Sequence, residues 1–109
     1  MYEIKMQNRN LPDGKKIITY TRNVINANQL EVEAGTTGSM GGDTGHGGRT
    51  YFRIEDRGDT NIKVKTIFRN GFCTGFEVFL GGDAELETTI RALKFIVKVL
   101  EEGMLGVYD

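Results

Sequence analysis

The chain has 109 residues, of which 39% are hydrophobic and 27% charged, with a formal net charge of -1 and a single cysteine. This length fits one domain over residues 1–109, and the ordinary globular composition argues against disorder. The balanced charge carries no signature of nucleic-acid binding, and the lone Cys73 excludes an internal disulfide. With no apolar leader or spanning segment apparent, we expect a cytoplasmic protein without a membrane partner.

Alternation of apolar and polar residues predicts strands in the first half of the chain. Tyr2, Ile4 and Met6 alternate with polar residues, and the turn sequence "LPDG" separates them from the β-branched run "KKIITYTR". The segment "NVINAN" is interpreted as a connection, and "QLEVEA" as a strand with one apolar and one acidic face. After the glycine-rich residues 35–48, "RTYFRIE" predicts a fourth strand with Phe52 and Ile54 on one face.

Residues 61–80 are expected to form a hairpin around "RNGF". A two-residue Asn-Gly loop would mix apolar and polar faces, whereas a three-residue loop pairs Phe68 with Phe72 and Val64 with Phe76. We therefore predict the three-residue loop, with Gly71 in the left-handed conformation beside a bulge.

The stretch "DAELETTIRALKFIVKVLEEG" predicts a helix that begins at Asp83 and ends at Gly103. Its broad apolar stripe is expected to face the core and comprises Leu86, Ile90, Leu93, Ile96, Val97 and Leu100. A narrower second stripe contains Ala92, Phe95 and Val99. Either the following tail covers this second stripe, or Phe95 and Val99 form an interaction surface to which Leu105 and Tyr108 of the tail contribute.

Together these elements predict an α+β fold in two layers. About six antiparallel strands form a meander, and one long C-terminal helix packs on one face of the sheet. The outer face of the sheet and the second helix stripe then remain as apolar surfaces for association.

The glycine-rich segment "GTTGSMGGDTGHGG" contains the only histidine and seven glycines in fourteen residues. Its length favours a ligand- or partner-facing loop, since long ordered loops are commonly functional. The stretch "DTGHGGRT" departs from the phosphate-binding Walker pattern at two residues, and a strand follows it where that pattern needs a helix. Six residues are the candidate ligand-binding set: Gly42, Asp43, Thr44, Gly45, His46 and Arg49.

Within this set, Asp43 and His46 are the candidate catalytic or metal-binding pair. A carboxylate and an imidazole suit a general base or a metal ion, but no third ligand completes a zinc site. We therefore predict no metal site and no cofactor, and we interpret the pair as a solvated His and Asp in a polar loop.

The triplet Asp43–Gly45 resembles the catalytic Asp-Thr-Gly motif of aspartic proteases. The resemblance implies a small β-rich homodimer in which two Asp43 carboxylates share a proton and activate water. In those families an apolar strand runs directly into the motif, whereas "SMGG" occupies that position here.

The leading functional hypothesis is therefore a small non-catalytic protein that associates with itself or with another protein. The alternative is a ligand-binding or hydrolytic protein that uses an anion or metal site in loop 35–48, or an aspartic-protease-like Asp43. Nucleic acid is not an expected partner.

Overall fold

The structure is a computed structural model that describes the backbone of residues 4–108 and the side chains of residues 4–103. The described chain forms six strands and one helix. In chain order these are β1 (Lys5–Asn10), β2 (Lys16–Ile25), β3 (Gln29–Thr36), β4 (Thr50–Gly58), β5 (Ile62–Arg69), β6 (Phe72–Leu80) and α1 (Asp83–Tyr108). The predicted α+β class with antiparallel strands and a C-terminal helix is confirmed.

The strands divide into two sheets rather than forming one. A four-stranded antiparallel sheet has the order β1-β2-β3-β4, and β5 pairs only with β6. The segment "NVINAN" is not purely a connection, because β2 runs to Ile25 and buries Val24. On β3, Leu30, Val32 and Ala34 lie on one face as predicted, and Val32 pairs with Ile54 of β4.

The β5–β6 hairpin has a two-residue loop, so the predicted three-residue loop is wrong. Arg69 pairs with Phe72, and both Asn70 and Gly71 have positive φ angles, of 53° and 81°. A bulge next to the turn then shifts the register so that Val64 faces Val78. The bulge resolves the mixed faces that a regular two-residue hairpin would give.

The hairpin projects from the rest of the chain. It makes few contacts with the four-stranded sheet or with α1, apart from residues at its base. The radius of gyration is accordingly 15.4 Å, against about 13 Å for a compact domain of this length. The hairpin is therefore an arm rather than part of the main sheet.

The base of this arm is held by polar side chains. The buried Asn28 amide donates hydrogen bonds to the hydroxyls of Thr60 and Thr88, each at 3.0 Å. The backbone N–H of Asn61 donates to the Glu85 carboxylate at the start of α1, at 3.1 Å. These bonds fix where the arm leaves the sheet and where the helix begins.

The core lies between α1 and the β2–β3–β4 face of the sheet. Its strand residues are Val24, Leu30, Val32 and Ala34, and its helix residues are Ala92, Phe95 and Ile96. Phe95 is only 7% exposed. The expectation that the broad stripe faces the core is correct only for Ile96 and the partly buried Leu100. It is wrong for Leu86, Ile90, Leu93 and Val97, which are exposed, because the narrow stripe lies against the sheet instead.

Small residues explain this choice of helix face. Thr88, Ala92 and Gly103 follow one side of α1, and short side chains let the helix axis approach the strands closely. The helix does not stop at Gly103 but continues to Tyr108, and a Cβ at Gly103 would press against the Thr36 methyl group. Glycine at this position serves close packing rather than helix termination.

The orientation of α1 makes a direct prediction about two nearby residues. Phe95→Ala removes a buried aromatic ring and should lower the free energy of unfolding by about 3–4 kcal/mol. Leu93→Ala removes an exposed side chain and should cost about 0.5 kcal/mol or less. Urea unfolding followed by circular dichroism at low protein concentration measures both changes, and a larger loss for Leu93→Ala would contradict this orientation.

Candidate functional site

The glycine-rich segment connects β3 to β4 as a closed loop. Thr37 and Arg49 join its two ends, because the Thr37 amide donates to the Arg49 carbonyl and the Arg49 amide donates to the Thr37 hydroxyl. Just inside this closure the chain folds against itself, and a Cβ built on Gly48 would overlap the Gly38 carbonyl oxygen. At this crossing, glycine is needed for close backbone approach.

Asp43 and His46 lie together on the exposed side of this loop. The Asp43 carboxylate accepts hydrogen bonds from the amides of Gly45, at 2.9 Å, and His46, at 3.3 Å. These bonds, together with the nearby His46 ring, hold the pKa of Asp43 below its usual range. Both side chains are more than 80% exposed. The Asp43 carboxylate therefore stabilises a turn at the protein surface.

The remaining members of the candidate ligand set either form hydrogen bonds within the protein or are exposed to solvent. Arg49 donates from Nε to Asp13 at 2.7 Å and from its terminal nitrogen to the Gly47 carbonyl at 3.0 Å. Its guanidinium therefore ties the loop to the turn between β1 and β2. Thr44 and Gly45 lie exposed beside Asp43.

A shallow cavity of about 570 Å³ lies beside the loop. Gly42 and Met40 line it, together with Leu100 of α1, whereas Asp43 and His46 do not. Residues 4–103 contain no cluster of three or more His, Cys, Asp or Glu side chains that could hold a metal ion. The loop thus brings Asp43 and His46 together but gives them no shared cavity.

The face of the sheet away from α1 carries a network of charged side chains around Glu33. This carboxylate is fully buried and accepts hydrogen bonds from Arg9, Arg53, Thr19 and Gln7. Burial alone would raise the pKa of Glu33, but the four donors more than offset it and lower the pKa from 4.5 to about 2. A buried group with a shifted pKa is a site candidate, yet every donor here is directed at Glu33 itself. We interpret this network as structural.

The second notable feature is an apolar surface on the side of α1 that faces β4 and the arm. The helix contributes a row of side chains that we call the helix stripe, namely Leu86, Ile90, Leu93 and Val97. The arm contributes what we call the hairpin face, namely Val64, Phe68, Phe76 and Val78. Phe52 of β4 lies next to the hairpin face, with its ring centroid 6.4 Å from that of Phe76.

These nine side chains are each between 40% and 62% exposed. Phe52 shares the sheet face on which α1 packs, and its ring lies next to that of Phe76, so the helix stripe and the hairpin face lie on the same side of the four-stranded sheet. The broad apolar stripe in the sequence contains these four helix residues and predicts them to face the core, whereas the structure leaves them exposed.

The predicted interface residues have a different placement. Phe95 lies in the core and Val99 is partly buried against it, and both side chains also line a cavity between α1 and strands β1 and β2. The side chains of Leu105 and Tyr108 lie outside the described residues.

Comparisons of the chain with protein-family models, with curated proteins and with solved structures find no match. Among the described residues, α1 included, no helix combines the length and apolarity needed to cross a membrane. Functional inference therefore rests on the geometry above.

The Glu33 network predicts a specific dependence of stability on pH. The folded-state pKa of about 2 lies below the value of 4.5 taken for the unfolded chain, so the charged network stabilises the fold fully above that higher value. This contribution is lost as the pH falls towards 2. Glu33→Gln should therefore reduce the free energy of unfolding at pH 7 by about 2–3 kcal/mol.

Urea unfolding of wild type and Glu33→Gln across this pH range tests the assignment. The difference between the two proteins should shrink steadily as the pH falls. Asp13 and Asp43, whose pKa values are also lowered, are present in both proteins and cancel in the difference. A difference that stays constant with pH would show that Glu33 does not titrate as described.

Proposed function

We propose that this protein is a self-assembling module without catalysis of its own, in which two copies pair through the apolar surface. The observation that carries the proposal is the size of that surface. At roughly 150–200 Å² for each fully exposed side chain, its nine residues together expose roughly 700–940 Å². The largest apolar patch of a typical monomer is about 300–600 Å², whereas a stable interface buries about 800 Å² per partner.

A second copy of the same chain fits this surface better than an unrelated protein. The helix stripe and the hairpin face are both uncovered, and a two-fold contact would place the hairpin face of each copy on the helix stripe of the other. One reciprocal contact then covers both apolar features. The proposal predicts no charged side chain at the centre of the interface, as is usual for the interior of a homodimer contact.

The instability of an isolated hairpin supports the same conclusion. A two-stranded hairpin is at best marginally stable in water unless something packs on it. In this chain the arm has only its base contacts and the Phe52–Phe76 pair for support. Docking on a second copy would supply the missing packing partner.

Size-exclusion chromatography with multi-angle light scattering at micromolar concentration tests the proposal. The wild-type chain should have twice the monomer mass of 12.2 kDa. Phe76→Glu and Leu93→Glu each place a charge in the apolar surface and should shift the protein to the monomer. The expected weakening is at least about a hundredfold in the dissociation constant, the effect of losing roughly 3 kcal/mol.

Phe79→Glu is the matched control for the hairpin. Phe79 is also an exposed phenylalanine of β6, but it pairs with Lys63 and lies on the opposite face of the arm. This variant should remain dimeric. A monomeric wild type, or equal dissociation by Phe76→Glu and Phe79→Glu, would refute the proposed interface.

A further inference from the structure

A second cavity, of about 770 Å³, opens on the other side of α1 from the helix stripe, between the helix and strands β1 and β2. Ile18, Tyr20, Phe95 and Val99 give it apolar walls. The volume falls within the range of about 300–1,000 Å³ that is usual for small-molecule sites. We call it the cationic cavity because of the charged residues that also line it.

The charges around this cavity are almost all positive. Arg22, Arg91, Lys94 and Lys98 line it, and Glu102 is the acidic residue among its lining side chains. Three of these cations follow one face of α1 at spacings of three and four residues, where like charges repel one another. A ligand anion would relieve that repulsion.

The cavity-lining cations also have few partners of their own. Arg91 is engaged by Glu87 and by the Ile25 carbonyl. Among the described side chains, no carboxylate oxygen lies within 4.0 Å of a charged nitrogen of Lys94 or Lys98. Two helix lysines beside an apolar cavity therefore remain available to a bound anion.

Arg22 gives the most specific indication. It pairs with Val32 on the sheet face that α1 covers, and its Nε atom is buried without a hydrogen-bond partner among the described residues. A buried donor left unpaired costs about 1–3 kcal/mol, and more when it is charged. A carboxylate is the natural partner for a guanidinium, because its two oxygens match the guanidinium donors.

From this geometry we propose that the cationic cavity binds a small amphipathic anion, namely a carboxylate that carries a hydrocarbon chain. The carboxylate pairs with Arg22 and is flanked by Lys94 and Lys98. The chain packs along the walls formed by Ile18, Tyr20 and Val99. This proposal is independent of self-association, because the cavity and the helix stripe lie on different sides of α1.

Titration with dodecanoate below its micelle concentration, followed by methyl NMR, tests the site. Dodecanoate should shift the methyl resonances of Ile18 and Val99 and leave those of Leu93 and Val97 in place. Acetate, which has the carboxylate without the chain, should bind far more weakly. Dodecyltrimethylammonium, with the same chain and the opposite charge, should not bind at this site.

Two variants separate the role of charge from a loss of folding. Arg22→Gln should weaken dodecanoate binding roughly tenfold or more, the effect expected when a charged hydrogen bond is lost. A double variant with Lys94→Gln and Lys98→Gln changes only exposed residues and should weaken binding as well. Lys63→Gln on the arm removes an equivalent charge elsewhere and should leave binding unchanged.

Several results would overturn the proposal. Shifts confined to Leu93 and Val97 would place the ligand on the apolar surface instead. Equal binding of the carboxylate and the quaternary ammonium would remove the role of charge, as would unchanged affinity in both the Arg22 variant and the double lysine variant.

Discussion

Helix α1 can press only one side against the four-stranded sheet, yet its sequence carries apolar residues on two sides. The side that meets the sheet includes the small residues Thr88 and Ala92, and these let Phe95 pack into the core between the helix and the sheet. The bulkier helix stripe lies about 120° further around the helix. Because nothing within the described residues covers that stripe, the helix leaves a large apolar surface at the side of the sheet.

The position of the arm is also fixed relative to helix α1. Its base is fixed by Asn28, which bonds both to Thr60 before the arm and to Thr88 in the helix. These bonds hold the base of the arm next to the N-terminal end of α1. The hairpin face therefore lies near the helix stripe but does not pack against it. Two uncovered apolar features held at a fixed separation on one chain favour closure by an identical neighbour.

Much of this fold could be predicted from the sequence, because strand alternation and turn residues are local signals. The approximate positions of the six strands, the presence of a hairpin near Asn70 and the start of the helix at Asp83 all follow from such patterns. The helix face could not be predicted in the same way. Apolar periodicity identifies both stripes, but which one meets the sheet depends on how closely the helix backbone approaches the strands. Gly103 and Ala92 allow that close approach, and this is apparent only from their contacts in the folded structure.

The hairpin register and the Glu33 network are two further features that the sequence pattern could not predict. The bulge between β5 and β6 absorbs a mismatch that a regular ladder could not, so a rule based on strict alternation chose the wrong loop. Glu33 had the pattern of a solvent-facing acid, but Arg9 and Arg53 come from strands distant in sequence and bury it. For the glycine-rich loop, the sequence located Asp43 and His46 in one turn, and the structure adds that both are exposed there.

The central claim is that the hairpin face of one copy covers the helix stripe of another. The most direct measurement is an isotope-filtered NMR experiment on a sample that mixes methyl-labelled and unlabelled protein. The account predicts nuclear Overhauser contacts between the Leu93 or Val97 methyl groups of a labelled copy and the Phe76 ring of an unlabelled copy. A dimer in which these contacts occur only within one chain, or are absent altogether, would contradict it.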